Sequence, residues 1–259
     1  MNPSRRQILK MGCGLVAAAG FGKSAERVLG LIVPQNPKVP AEALAMYPSG
    51  LKFLVEAIGL QTMTPAGYDS VIDRIVPAAQ KLAKQGAEAI VLMGTSLSFY
   101  RGAAFNKSLA DSIHRGTGLP ATTMSNGVVE GLRAMAGHRL AVATAYNEEV
   151  TGRLKTFLTE SGFEVVHAKG LGLERIGDPG KVSQEELQKF TVDVFHTAPK
   201  SDALLVSCGG LRTLELIAPL EKQCSVPVVS STPHALWAGV RLLGLKGTAA
   251  GYGLLLSRA

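Results

Sequence analysis

From residue 27 onward, short and almost unbroken apolar runs alternate with amphipathic stretches, and the runs come in matching pairs. Ala87-Glu88-Ala89-Ile90-Val91-Leu92-Met93-Gly94-Thr95-Ser96-Leu97 recurs as Ser201-Asp202-Ala203-Leu204-Leu205-Val206-Ser207-Cys208-Gly209-Gly210-Leu211. Each copy is an acidic residue, a short apolar run and a small-residue turn, the pattern of a buried strand ending in a tight loop. The run from Arg27 to Asn36 pairs likewise with His138 to Asn147, and Leu119 to Ser125 with Val226 to Thr232. After the last pair comes a small-to-large apolar helix, carrying Gly131-Leu132-Arg133 in one copy and Gly239-Val240-Arg241 in the other. These helices are expected to end at Gly137 and Gly244, where glycine closes a helix.

The stretches between strands carry helical periodicity. Tyr68 to Gln85 sets Val71, Ile72, Ile75, Val76, Ala79, Leu82 and Ala83 on one face. Ser183 to Glu186 forms a capping box, with Val182 placed to staple Leu187. Glu148 to Ser161 and Leu211 to Gln223 predict two further helices. Continuously apolar strands alternating with helices imply parallel sheets covered on both faces. The paired runs predict an α/β fold of two pseudo-symmetric halves, each a four-stranded parallel sheet flanked by helices, with an active site in the cleft between them. The expected division is 27–136 plus 237–259 for the first half and 137–236 for the second. Ligands collect beyond the carboxyl ends of parallel strands, which directs attention to the loops after Val33, Leu92, Val142 and Val206.

Composition narrows the classes of function. The 259 residues are 46% hydrophobic and 18% charged, which excludes a disordered chain. Aromatics at 5% are too few for a single-strand stacking surface. Residues 1–26 look like an export leader: Ser4-Arg5-Arg6-Gln7-Ile8-Leu9-Lys10 has the twin-arginine pattern, followed by a short apolar segment and a cleavage-like Ala17-Ala18-Ala19. Periplasmic localisation is expected, or cytoplasmic if the leader is not functional. The apolar segment is too short for a membrane span. Removing Arg5, Arg6 and Lys10 from the 27 basic residues leaves 24 against 20 acidic ones, or +4, with no basic run for nucleic acid. Of the three cysteines, Cys13 falls in the leader. Cys208 and Cys224 form no CxxC or His/Cys ligand spacing, so neither a disulfide framework nor a metal site is expected.

Cys208 is the chemically marked residue. A strand-end thiol beside Gly209 and Gly210 lies next to backbone that can approach a ligand closely and offer N–H groups to an anion. A free thiol is mostly protonated near neutrality and can act as a general acid. In the matching loop stand Gly94, Thr95 and Ser96, with hydroxyls and amides suited to a carboxylate. Tyr146 ends a strand of the second half and is expected to direct its phenol into the same cleft. Among five histidines only His234 falls near a cleft mouth, and none has metal spacing. The chain lacks GxGxxG and P-loop signatures, which disfavours nucleotide cofactors.

Met93 to Asn106, Ala143-Thr144-Ala145-Tyr146, Ser207 to Leu211, Val226 to Ser231 and Thr64 to Asp69 together resemble the arylmalonate decarboxylases, within the aspartate/glutamate racemase superfamily. The resemblance runs from Leu29 to the C-terminus. It implies a cofactor-free carboxy-lyase in which Thr95, Ser96, Tyr146, Gly209 and Gly210 form a dioxyanion hole for the retained carboxylate. It further implies an apolar pocket for the departing carboxylate at Pro34, Leu60, Met63, Tyr68, Leu97 and Ile176, and protonation of an enediolate by Cys208. The expected partner is a small-molecule dicarboxylate, and the chain is expected to act as a monomer. Met63, Ile176 and Pro179 depart from the family pattern, and the loop Gly177 to Gly180 reshapes the pocket.

Two other readings fit parts of the pattern. Racemases and maleate isomerases of the superfamily carry a second cysteine where Gly94 stands, and two-base chemistry needs a group on each face. A periplasmic carboxylate-binding protein without catalysis also suits two α/β halves around a cleft.

Overall fold

The computed structural model describes residues 26–258. The first half runs β1 (Arg27–Val33), α1 (Ala41–Met46), β2 (Leu51–Ala57), α2 (Pro65–Asp69), α3 (Ile75–Lys84), β3 (Ala89–Leu92), α4 (Thr95–Phe99), α5 (Gly102–Thr117), β4 (Ala121–Thr123) and α6 (Met124–Ala134). The second runs β5 (Arg139–Tyr146), α7 (Glu148–Glu160), β6 (Glu164–Leu173), α8 (Gln184–His196), β7 (Ala203–Ser207), α9 (Ile217–Cys224), β8 (Val228–Ser230) and α10 (Ser231–Leu242), before a terminal α11 (Leu254–Arg258). The sheets have the orders β2-β1-β3-β4 and β6-β5-β7-β8, all parallel. Each apolar run of the sequence repeat occupies the same place in its sheet, so the two halves anticipated from the pairing are present.

The acidic residue that opens the repeat has a structural task in both copies. Glu88 accepts the N–H of Val28 at 2.8 Å, and Asp202 accepts those of His138 and Arg139, each at 2.8 Å. Each carboxylate thereby ties the start of the central strand to the strand beside it. Strands β3 and β7 are buried throughout, while the edge strand β6 is largely half-exposed. The opposite edges, β4 and β8, are nearly or wholly buried, so the exposure belongs to the β6 side of its sheet and not to edges in general.

Three helix expectations change. The periodic stretch Tyr68–Gln85 is not one helix: α2 ends at Asp69, a 3-10 turn covers Ile72–Arg74, and α3 starts at Ile75. The stretch Leu211–Gln223 likewise resolves into a 3-10 turn at Leu214–Leu216 and α9 from Ile217. Pro77 and Pro219 explain both, since proline lacks an N–H and is tolerated only in the first turn of a helix; each is the third residue of its helix. The third change concerns Gly137. The left-handed residue after α6 is Ala136, with φ 55°, whereas Gly137 is needed for space, since a Cβ there would come within 2.7 Å of Ala203 Cβ. Gly244 does take φ 76° after α10. The capping box of Ser183 and Glu186 and the helix opening at Glu148 form as anticipated.

Helix α10 starts directly after β8, so the expected division at 236/237 falls inside a helix, and the chain leaves the second half at Ser231. There it packs chiefly on α6 and touches β3, β4 and α1. The α6–α10 contact is nearly backbone to backbone: a Cβ on Gly127 would meet the His234 carbonyl oxygen at 2.7 Å and Ala235 Cα at 2.8 Å, and one on Gly131 would meet His234 Cδ2 at 2.8 Å. The C-terminal segment then touches both halves, through Tyr47 Oη to the Gly247 carbonyl and through the Leu254 N–H to Glu221. The leader, with Arg5, Arg6 and Cys13, lies outside the described residues.

Candidate active site

The carboxyl ends of β1, β3, β5 and β7 surround one cavity of about 230 Å³. Its wall from the first half contains Gly94, Thr95, Ser96 and Leu97; its wall from the second half contains Tyr146, Cys208, Gly209 and Gly210. Pro34, Leu60, Met63 and Ile176 complete the apolar side. Of the residues anticipated from sequence, Tyr68 is the exception. It is fully buried, its ring tilted 58° against Tyr100 with centroids 4.9 Å apart, and it is not part of the lining. Its hydroxyl is nonetheless close enough to Ser96 and Cys208 for both to act on its ionisation, so Tyr68 backs the site instead of lining it.

Gly94 precedes α4 in an extended conformation (φ −145°), so Thr95 and Ser96 are the first residues of a helix. The first N–H groups of any helix have no intrahelical acceptor, and here they belong to residues that line the cavity. The Thr95 hydroxyl lies 2.8 Å from Met124 Sδ and 2.9 Å from Ser231 Oγ. Beneath it, Ser98 and Ser125 both donate to the Thr95 carbonyl, at 2.9 and 3.0 Å. A side chain at Gly94 would have limited room, with its Cβ 3.1 Å from Leu97 Cβ.

On the facing wall, Cys208 follows the last residue of β7 and is 5% exposed. Its N–H donates to Ser231 Oγ at 3.1 Å, and its Sγ lies 3.9 Å from Met63 Sδ. Burial pushes the thiol up to about 11, against the backbone N–H of Gly210, the Tyr146 hydroxyl and the backbone N–H of Leu211. Cys208 is therefore a proton-bearing thiol at neutral pH. Cys208 and Cys224 are both free thiols.

Tyr146 is set by a sheet irregularity. The β5–β6 register shifts between Thr144 and Tyr146, opposite Gly170. A Cβ on Gly170 would sit 2.1 Å from the Tyr146 carbonyl oxygen, so only glycine permits this approach. The phenol then points inward, 3.4 Å from Ser207 Oγ and edge-on to Phe99 at 5.7 Å between centroids. Burial raises its pKa well above the ordinary tyrosine value, so it remains a donor.

His234 does not reach the cavity. It is fully buried against α6, with Nδ1 3.0 Å from the Ser230 N–H, and burial lowers its pKa to about 4. Sequence reasoning missed Met124, Thr232 and Lys38, which also line the cavity. Met124 and Thr232 were visible in principle, since both follow the paired β4 and β8 strands. Lys38, the one charged side chain of the lining among the described residues, carried no signal in an ordinary Pro-rich loop.

The sequence profile of the family described as arylmalonate decarboxylase matches residues 29–256. Arylmalonate decarboxylase of Bordetella bronchiseptica is 45% identical over 233 residues, which span 89% of this chain and 97% of that protein. A structure of a glycine-to-cysteine, cysteine-to-serine double mutant of arylmalonate decarboxylase in the liganded form superposes with a TM-score of 0.88 at 44% identity, covering 90% of this chain and all of that one. Maleate isomerase of Nocardia farcinica is more distant, 24% identical over 89% of this chain and 95% of its own length. A profile match over nearly the whole described chain, together with this degree of identity, makes the chain a member of the arylmalonate decarboxylase family.

Proposed function

We infer that the protein is a cofactor-independent carboxy-lyase that converts α-aryl or α-alkenyl malonates to an optically active monocarboxylic acid. The observation that carries it is that Cys208 shares one cavity with Thr95, Ser96 and Tyr146 while the opposing position is the bare Gly94. In this reading Thr95, Ser96, Tyr146 and the amides of Ser96, Gly209 and Gly210 hold the carboxylate that stays. The second carboxylate faces Pro34, Leu60, Met63, Leu97 and Ile176, where a charge is poorly solvated.

Loss of CO2 breaks the bond from the α-carbon to that carboxylate, and its electron pair moves onto the retained carboxylate as an enediolate. Donors aimed at that oxygen pair stabilise the charge as it develops. The Cys208 S–H then protonates the α-carbon from its own side, leaving a thiolate that regains a proton from water. The backbone N–H of Leu211, which is not engaged by the carboxylate, is placed to steady that thiolate. One acid on one face gives one enantiomer. Two-base isomerisation lacks its second group at Gly94.

The test is CO2 release from a panel of aryl- and alkenylmalonates without added metals or nucleotides. Cys208→Ala is expected to lose activity on the order of a hundred- to ten-thousand-fold, the range of a general acid, while still binding malonate by calorimetry. Undiminished CO2 release from that variant assigns the proton to another acid, whereas a parent protein that binds malonates and releases no CO2 is a capture protein.

A further inference from the structure

Ser231 touches both walls of the cleft without lining it. Its side chain is 1% exposed at the first position of α10. Its Oγ accepts the Cys208 N–H at 3.1 Å and lies 2.9 Å from Thr95 Oγ1. One hydroxyl from the crossing helix thus joins a backbone group of the second half to a side chain of the first.

A serine hydroxyl carries one proton and two acceptor positions, and the proton rotates to suit its neighbours. The Thr95 proton has two acceptors within the protein, Ser231 Oγ and Met124 Sδ. A carboxylate in the cavity is a stronger acceptor than either, because hydrogen bonds to ionised groups are about twice as strong as neutral ones. When Thr95 turns its proton to that carboxylate, its oxygen is left needing a donor, and the Ser231 O–H is the group at the right distance. Ser231 Oγ meanwhile keeps the Cys208 N–H.

Resting on the decarboxylase reading, we propose that Ser231 is a positioning residue that closes a relay of hydrogen bonds from the Cys208 amide through Ser231 and Thr95 to the retained carboxylate. The relay does two things. It makes Thr95 a better donor as negative charge moves onto the carboxylate, since donors in a chain polarise one another. It also holds the backbone of the acid residue in register with the carboxylate, so the thiol meets the α-carbon from one side.

Ser231→Ala is expected to lower kcat about 10- to 100-fold, as for loss of a hydrogen bond serving a charged group, with a smaller change in KM and a drop in product enantiopurity. Ser231→Thr, which keeps the hydroxyl, should hold kcat within about threefold of the parent. The deciding measurement is a double-mutant cycle with Thr95→Val: groups acting through one another are non-additive, so removing the Ser231 hydroxyl should cost little once Thr95 has no hydroxyl to support. If Ser231→Ala does not fold, Ser231→Cys, a weak hydrogen-bonding group, replaces it in the cycle. Full additivity, or equal kcat losses in the Thr and Ala variants, overturns the proposal. Those results leave the decarboxylase reading intact, which fails instead if the parent protein releases no CO2 from the malonate panel.

Discussion

The asymmetry between Gly94 and Cys208 concerns two atoms at equivalent strand ends, and it yields a prediction about one substitution. Gly94 has a backbone conformation open to any L-residue, and the obstacle to a side chain is Leu97, 3.1 Å from a Cβ. Leu97 has to yield by a few tenths of an ångström, which costs about 1 kcal/mol by analogy with mild overpacking. Gly94→Cys should therefore fold and set a second thiol against the first. Incubating a single enantiomer of the 2-arylpropionate product in D2O is expected to show α-deuteration and racemisation in this variant and none in the parent. Absence of exchange in a folded Gly94→Cys protein rules out the two-wall geometry.

At this scale the legible residues were those whose neighbours in sequence announce them. Cys208 sits in a glycine turn after an apolar run, and Thr95 and Ser96 sit in the matching turn. Ser231 was opaque because its importance comes from Thr95 and Cys208, which only the crossing of the two halves brings to it. Tyr68 was legible in part: its ring is buried against Tyr100 and outside the lining, while its hydroxyl stands behind Ser96.

Helices were legible in kind and less so in extent. Apolar periodicity runs through the 3-10 turns before α3 and α9 as smoothly as through the helices themselves, so it cannot mark where a helix begins. Proline can. Pro77, Pro219 and Pro233 are each the third residue of a helix, the first-turn location that a missing N–H allows. Reading those prolines as start signals places α3, α9 and α10 from sequence alone.

The α6–α10 pair also carries a pH dependence. His234 is buried between them, its Nε2 without a hydrogen-bond partner among the described residues. Its pKa is about 4 when folded against 6.5 for the unperturbed group, so the unfolded chain binds the proton first. The contribution of His234 to stability is therefore full above about pH 7 and is lost as pH drops through 6.5 towards 4, on the order of 3 kcal/mol in all. Denaturant titrations across this window should show that decline, and His234→Gln should flatten it. An unchanged slope in the variant would assign the acid sensitivity to other groups.

For the molecule as a whole, the repeat made the architecture readable. Three matched strand pairs placed equivalent loops on equivalent sheets, and the observed strand orders follow that symmetry. The crossing of α10 was less readable, since no loop separates it from β8 to announce a change of partner. We propose that residues 1–26 send the folded chain across a membrane by the twin-arginine route. Cell fractionation is expected to find the protein in the periplasm, and Arg5→Lys with Arg6→Lys should retain it in the cytoplasm. An identical distribution of the two forms argues against the address.

The glycine contact between α6 and α10 has a consequence for selectivity. Backbone resting on backbone at Gly127 fixes α10 on the first half, and because α10 continues from β8 without a loop, the exit strand of the second half is held with it and the halves have little freedom to shift for a guest of a different size. The crevice behaves as a fixed mould. Discrimination among bulky substituents is then left to the two flanking segments at its door, around Lys38 and around Ile176, and exchanging residues there should alter which molecules enter without disturbing the handedness of what leaves.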